Sequence, residues 1–350
     1  MFHEIPENGL SCTRRHWLKA AGALTIGTTL ARSLQAAAAA APAATPERAA
    51  SHGPGKEQSP IMQIGILIGT FSQPTLEARL DAVKTCGLDC VQLSMECTGV
   101  PMMPDAIAPE LLQRIRRQAD ARGIQIASLQ GTFNMTHPDV QQRRAGVRRL
   151  GVLAAACRPL GTSKIHICTG TRDRGNMWRR HPDNDTPQAW RDMVACVREA
   201  VDIAGPWGVT LAFEPEVNNV VDSAKKALRL MDEIGSPRLK VTMDAANLFH
   251  AGELARMSEV LDQAFALVGR DIVMAHAKDV NHDGDAGHEP AGHGKLDYDR
   301  YLTLLHAYGF KGPLLLHGLS EAQVPGCVAF LREKLARVGS ADAKSGSLSH

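Results

Sequence analysis

The feature of this sequence that most constrains its fold is a regular alternation of short apolar runs with longer segments of helical periodicity, which starts near residue 61. The short runs are rich in β-branched residues and have the length of buried strands. They begin near Met62, Cys90, Ile124, Lys164, Val209, Leu239, Asp271 and Gly312. Because eight strand-helix units in about 280 residues are typical of a (β/α)8 TIM barrel, we predict one over residues 61–338.

The segments between the strands have the pattern of amphipathic helices. The clearest one places apolar residues at the spacing of a buried stripe, namely Trp190, Met193, Val194, Val197 and Val201. Glycines that can end a helix in a left-handed cap stand just before six strands: Gly87, Gly123, Gly161, Gly208, Gly235 and Gly309. A doubly wound sheet is the alternative, but it usually has fewer strands, and the sequence contains neither G-x-G-x-x-G nor a P-loop.

The first residues of the chain predict export. Arg14 and Arg15 precede an apolar run and an alanine tract, an arrangement that resembles a twin-arginine signal with its cleavage site. We predict a signal peptide over residues 1–41, recognition by the twin-arginine export machinery, and a periplasmic or secreted location. A membrane anchor is the alternative, but the apolar run is short and contains Arg32, which argues against stable membrane insertion.

The charge balance excludes two classes of partner. Removal of residues 1–41 leaves 35 basic and 35 acidic residues. Such a neutral chain lacks the basic surface with which proteins bind nucleic acid or anionic lipid. On composition, residues 42–60 are predicted to be a disordered linker and residues 339–350 a flexible tail.

The cysteines do not indicate a disulfide framework. Seven remain beyond the predicted signal, an odd number without a C-x-x-C pair. They are Cys86, Cys90, Cys97, Cys157, Cys168, Cys196 and Cys327. Because several lie within apolar runs, we expect buried thiols, with one disulfide bridge left open.

Four consecutive predicted strands end on a polar side chain. The residues are Glu214, Asp244, His276 and His317, separated by 30, 32 and 41 residues, about one strand-helix unit each. In a barrel the carboxyl ends of the strands form one face, so these side chains are expected to converge. Taken singly, each of the two carboxylates is also typical of a helix cap or a salt-bridge partner, and each of the two imidazoles is typical of a structural histidine.

Two carboxylates and two imidazoles at one barrel mouth would repel one another or remain unsatisfied without a cation between them. The sequence therefore predicts one divalent metal ion, held by Glu214, Asp244, His276 and His317. Oxygen and nitrogen ligands together suit Mn, Zn, Co, Fe or Mg, and the sequence does not choose among them.

The residues around this predicted site carry a family resemblance. The motifs FEPE (213–216), TMDAANL (242–248), HAKD (276–279) and AGHGKLD (291–297) occur in this order. With them the chain resembles the sugar phosphate isomerase/epimerase family, whose xylose isomerase-like barrels include ketose 3-epimerases and inosose dehydratases. The resemblance spans residues 61 to about 338.

The resemblance implies a metal held by Glu, Asp, His and a final Glu from the last four strands. Glu214, Asp244 and His276 match this pattern, whereas His317 stands where the family has its final Glu. In the epimerases the first and last Glu also form the acid-base pair. Because a metal-bound imidazole accepts protons poorly, His317 disfavours the usual two-base epimerisation. Asn247 is a second departure, since the ketose epimerases often have His there.

Several neighbouring residues are further candidates for the site. Proton transfer is assigned to Glu214, Glu216, Lys278 or His293, although the last three read equally as rim salt-bridge partners. The candidates for substrate binding are His166, Arg172 and Asn247. Residues 171–187 and 281–295 form long loops of the kind that often cover a barrel mouth, and the histidines of the second loop leave additional metal sites open.

The predicted function is a metal-dependent isomerase or epimerase that removes a proton next to the carbonyl group of an unphosphorylated sugar or keto-sugar. The first alternative is a lyase or dehydratase that eliminates from a keto-glycoside or keto-polyol. A non-catalytic carbohydrate-binding barrel is the alternative from another class. A phosphodiester-cleaving enzyme fits poorly, because it needs more metal ligands and a basic face. The predicted small-molecule partner is the sugar substrate, and association into a homo-oligomer is left open.

Overall fold

The computed structural model describes the backbone of residues 62–345 and the side chains of residues 62–338. Its strands are β1 (Gln63–Leu67), β2 (Cys90–Leu93), β3 (Gln125–Gln130), β4 (Lys164–Cys168), β5 (Thr210–Glu214), β6 (Leu239–Asp244), β7 (Ile272–Asp279), β8 (Glu289–Pro290) and β9 (Pro313–Leu316). The signal and linker predicted for residues 1–41 and 42–60 lie outside this range.

Eight parallel strands close into a barrel. Each strand from β1 to β7 pairs with the next, β7 pairs with β9, and β9 pairs with β1. The two-residue strand β8 lies antiparallel to the end of β7. The predicted (β/α)8 TIM barrel is therefore confirmed, and β2, β4 and β6 begin at the residues that the sequence pattern indicates.

A helix follows each barrel strand. The helices are α1 (Leu76–Thr85), α2 (Pro109–Asp120), α3 (Val140–Leu160), α4 (Pro187–Ala204), α5 (Ala224–Ile234), α6 (Met257–Val268), α7 (Tyr298–Ala307) and α8 (Val324–Ser345). All six glycines expected to end a helix have positive φ, between 63° and 77°. The boundary predicted at residue 338 falls inside α8, because the last turns of this helix lack an apolar stripe that would reveal them.

The interior of the barrel is filled by a small apolar plug, which consists of Cys90, Ala127, Ala212, Met274 and Leu315. The space is tight enough that a Cβ atom on Gly65 would lie 2.5 Å from the Cys90 carbonyl oxygen and 2.7 Å from Leu315. A larger residue at position 65 is therefore excluded by the backbone of β2.

The plug sets the floor of a polar layer. Side chains of a strand alternate between its two faces, so the second residue after each plug residue points to the same interior. Four of the five plug residues are followed in this way by a polar residue, namely Gln92 after Cys90, Glu214 after Ala212, His276 after Met274 and His317 after Leu315, whereas Ala127 is followed by Leu129. Strand periodicity thus places polar groups at one level, above an apolar base.

The seven cysteines among the described residues are free thiols, as expected. Cys86 is half-buried and the other six between residues 62 and 338 are buried. These seven cysteines therefore do not form the single bridge that the sequence left open. Within residues 62–345, none of the helices has both the length and the apolar character needed to cross a membrane.

Candidate functional site

The four predicted metal ligands meet at the carboxyl end of the barrel. Glu214 and Asp244 are the last residues of β5 and β6, His276 lies near the end of β7, and His317 directly follows β9. The first three are buried, whereas 36% of the His317 side chain is exposed. We refer to Glu214, Asp244, His276 and His317 as the ligand cluster.

Three distances within the ligand cluster are short enough for the two side chains concerned to share an ion. Glu214 Oε2 lies 3.2 Å from His276 Nδ1, and Asp244 Oδ2 lies 3.8 Å from both His276 Nδ1 and His317 Nδ1. Two atoms that bind one ion at about 2.0–2.2 Å lie at most about 4.4 Å apart. All three separations satisfy this limit. The described residues that could hold an ion form two groups that share His276, one with His166 and Glu214 and the other with Asp244 and His317.

Three atoms of the ligand cluster lack a hydrogen-bond partner among the described residues. They are Asp244 Oδ2, His276 Nδ1 and His317 Nδ1. Asp244 Oδ2 has an ion-pair contact to Lys278 Nζ at 3.2 Å, but without hydrogen-bond geometry. Because an unpaired buried polar atom is costly, these atoms fit a divalent cation, which satisfies all of them at once.

The electrostatics of the ligand cluster favour positive charge. Burial opposes a charge on Asp244, but Lys278 and the neighbouring histidines hold the pKa of Asp244 well below its usual value. Burial also opposes a charge on His276, yet the Glu214 carboxylate outweighs it and raises the pKa of the imidazole to about 9. The carboxylates are therefore ionised and ready to bind a cation.

Asn247 and Lys278 link the two carboxylates. Asn247 Nδ2 donates to Glu214 Oε1, and Lys278 Nζ donates to Asn247 Oδ1 at 2.8 Å. The backbone N–H of Gly287 also donates to Asn247 Oδ1, at 3.1 Å. Both residues thus line the cavity, and Asn247 also orients Glu214.

Glu216 lies beside the ligand cluster and lines the same cavity. Glu216 is 5% exposed, and its backbone N–H donates to the Val221 carbonyl at 3.0 Å. Burial, followed by the negative charge of Glu214, raises the pKa of Glu216 to about 8. A carboxyl group with a pKa near neutrality is suited to accept and return a proton.

His166 and Gln92 complete the inner wall. His166 Nε2 lies 3.5 Å from Glu214 Oε2, and burial, followed by the charge of His276, lowers the pKa of His166 to about 3. Gln92 Oε1 lies 3.4 Å from His276 Nε2. The sequence analysis missed Gln92, although its place two residues after Cys90 in β2 is a signal that points to it.

Two predicted residues lie elsewhere, which corrects their assignment. Arg172 does not line the cavity, since its guanidinium donates to Asp192 Oδ2 at 2.8 Å and to the Thr136 carbonyl at 3.1 Å. His293 is exposed and does not line the cavity, and its backbone N–H donates to the Pro290 carbonyl at 3.0 Å. Neither is therefore positioned to act in this site.

The position of Arg172 predicts a structural effect of its removal. We expect Arg172→Ala to lower the free energy of unfolding by about 1.5–3 kcal/mol, because Asp192 loses a charged hydrogen bond in a half-buried setting. Chemical denaturation measures this change. Exposed Arg174 in the same loop offers the matched control, and Arg174→Ala should alter stability by less than about 0.5 kcal/mol. Equal stability of the two variants would contradict the assignment.

The cavity above the ligand cluster has a volume of about 680 Å³. Its mouth is formed by residues from the two long loops that the sequence analysis singled out, namely Asn176, Trp178, Arg179, Arg180, Gly284, Asp285, Ala286, Gly287 and His288. Arg179 pairs with Asp173 and Arg180 with Asp185, each at 2.6 Å. Among the described residues, two groups of side chains could hold a metal ion, and neither includes a residue of the loop at 281–295.

Comparison with known proteins agrees with this architecture. A family model described as "Xylose isomerase-like TIM barrel" matches residues 80–334, which is more than half of the chain. The fold is similar to that of a D-tagatose 3-epimerase-like protein, with 16% identity and a TM-score of 0.65 over 80% of this chain and 99% of that one.

Two further solved structures have the same fold. A 3-keto-D-glucoside 4-epimerase from E. coli is 16% identical, with a TM-score of 0.58 over 78% of this chain and 99% of that one. IOLI protein with a binding zinc atom is 18% identical, with a TM-score of 0.59 over 80% and 99% of the two chains. The family match and the closed eight-stranded barrel show that the chain belongs to the xylose isomerase-like TIM barrel family.

Proposed function

We propose that this protein is a divalent-metal-dependent isomerase or epimerase that removes a proton next to the carbonyl group of an unphosphorylated sugar or keto-sugar. The observation that carries the proposal is the meeting of the cation-seeking ligand cluster with two further acid-base groups, Glu216 and Lys278, in one cavity. The names of the similar structures, sugar epimerases and a zinc-bound protein among them, agree with it.

Each group in the cavity has a distinct part in this chemistry. Glu214, Asp244, His276 and His317 would hold the ion, which when bound would polarise a sugar carbonyl and lower the pKa of the adjacent C–H group. Glu216 accepts the proton from that carbon. The Lys278 ammonium, whose pKa is raised because Asp244 outweighs the effect of burial, donates a hydrogen bond to the oxygen on which negative charge develops.

The fate of the proton separates the products. Its return to the other face of the same carbon gives an epimer, and its return to the neighbouring carbon gives an isomer. Loss of a β-oxygen substituent instead gives elimination. The contact of His317 with Asp244 favours this lyase alternative, since an imidazole held in the ligand cluster is not available as the second base.

The preference for an unphosphorylated substrate is supported at the cavity mouth. Arg179 and Arg180 are the arginines that line it, and both are paired with aspartates. A phosphate group would have to displace those partners to gain a bidentate contact. The name of the E. coli 3-keto-D-glucoside epimerase also points to a substrate without phosphate. Export through the twin-arginine pathway to the periplasm, predicted from residues 1–41, would place the enzyme among such sugars.

Deuterium wash-out tests the proposed reaction. Protein loaded with Zn, Co or Mn is incubated with ketoses and 3-keto-glycosides that carry deuterium next to the carbonyl, and mass spectrometry follows the loss of the label. We expect wash-out and an isomer that is lighter only by the exchange of deuterium for hydrogen; a product that has also lost the β-substituent identifies the lyase. Faster wash-out from the matching sugar phosphates would contradict an unphosphorylated substrate. Tight sugar binding without any wash-out would overturn the enzyme and identify a carbohydrate-binding barrel.

A further inference from the structure

The hydrogen bonds of His166 determine which of its ring nitrogens carries the proton. Thr242 Oγ1 donates its single hydrogen to the Ala212 carbonyl at 3.3 Å, and His166 Nδ1 lies 3.1 Å from the same Thr242 oxygen. That oxygen can therefore only accept from the imidazole, so Nδ1 is protonated. In the neutral ring, Nε2 then has a free lone pair.

This lone pair faces a carboxylate. His166 Nε2 lies 3.5 Å from Glu214 Oε2, and both side chains are more than nine-tenths buried. Asn247 already donates a hydrogen bond to Glu214 Oε1, so Oε2 is the oxygen available to bind a cation. Two electron pairs that face each other away from water repel unless a positive charge lies between them.

His276 connects this arrangement to the ligand cluster. Gln92 Oε1 can only accept, so the imidazole donates to it from Nε2, and a cation bound at Nδ1 would take the place of the proton that Glu214 favours there. Nδ1 lies 3.2 Å from the same Glu214 Oε2. The ligand atoms of His166, Glu214 and His276 all lie within 4.8 Å of one another, and those of Asp244, His276 and His317 do so as well. His276 belongs to both groups, so an ion bound at its Nδ1 would lie beside the ligand atoms of each.

The geometry points to His166 as a fifth ligand of the proposed metal ion, which makes the site one of three imidazoles and two carboxylates. Imidazole suits zinc and iron-like ions, whereas carboxylate and water suit magnesium and manganese. The extra imidazole therefore selects a borderline ion of the zinc class over Mg²⁺ or Mn²⁺. This inference rests on the proposed function, because it concerns the same site.

His166→Asn is the variant that tests this role. The asparagine amide keeps a donor towards Thr242 Oγ1 and removes Nε2. The matched control is His282→Asn, an exposed histidine outside the cavity. Chelator-stripped full chains are titrated with Zn²⁺ or Mn²⁺ against a competing chelator, and X-ray absorption of the zinc-loaded proteins counts the bound imidazoles. Should His166→Asn lose its native circular dichroism, His166→Gln is measured by the same criteria.

We expect His166→Asn to weaken Zn²⁺ binding at least about tenfold and Mn²⁺ binding less. The count of bound imidazoles should fall from three to two, while His282→Asn matches the wild type. Unchanged zinc affinity, or weaker binding with three imidazoles retained, would overturn the ligand role of His166 and leave the proposed enzyme intact. A wild-type chain that binds neither ion would overturn both.

Discussion

Replacing Asp244 by alanine should remove the metal ion and turnover together. Asp244 Oδ2 lies between His276 Nδ1 and His317 Nδ1, 3.8 Å from each, so its loss separates the two imidazoles from any shared carboxylate. Elemental analysis should find about one divalent ion per wild-type chain and almost none in the variant. Asp285→Ala, which removes a carboxylate at the cavity mouth, should keep the ion. Full metal content in Asp244→Ala would exclude Asp244 as a ligand.

The same substitution should also destabilise the metal-free protein, by about 3–5 kcal/mol. The Lys278 ammonium, 3.2 Å from Asp244 Oδ2, loses a buried ion-pair partner. Adding Lys278→Met should restore most of that stability, because removal of both members of a buried pair leaves no uncompensated charge. Denaturation in the presence of a chelator measures this recovery, and the double variant should still bind no metal. Additive destabilisation by the two substitutions would contradict the pairing.

Replacing Glu216 by glutamine should lower turnover by about 10²- to 10⁴-fold while metal content stays unchanged. The amide has the shape of the carboxyl group but cannot accept a proton from carbon. Because Glu216 is buried in the cavity beside Glu214, no bulk water replaces it as the base. Steady-state kinetics and deuterium wash-out should fall together, since both depend on the same C–H cleavage.

Glu289→Gln is the matched control for Glu216→Gln. Glu289 is a half-buried glutamate of β8 that does not line the cavity, so its variant should keep full turnover. Loss of metal in Glu216→Gln would make Glu216 a part of the ligand set. Full activity with full metal content would instead move the base to Glu214 or to another group.

The barrel and the convergence of Glu214, Asp244, His276 and His317 could be predicted because they depend on local periodicity. A strand reports its buried face through its apolar residues, and closure of eight such strands places their carboxyl ends in one ring. The same rule applies to Gln92, two residues after Cys90 in β2. That residue was overlooked because an amide carries no charge to mark it as a ligand or a base.

Loop residues could not be placed in this way. Arg172 and Arg180 belong to the same arginine-rich loop, yet Arg172 pairs with Asp192 of α4 while Arg180 reaches the cavity. Loop backbones have no repeating direction, so spacing in sequence does not tell which side chain points to the mouth. His293 differs from Lys278 for the same reason, since Lys278 lies on β7 and inherits the direction of its strand.

The apolar plug beneath the site also limits how small molecules enter and leave the cavity. Because Cys90, Ala212 and Leu315 close the barrel from below, a molecule that enters through the mouth has to leave through it. Under the proposed function, the product has to leave through this mouth before the next substrate molecule can bind. Accumulated product should therefore inhibit the proposed reaction competitively with respect to substrate.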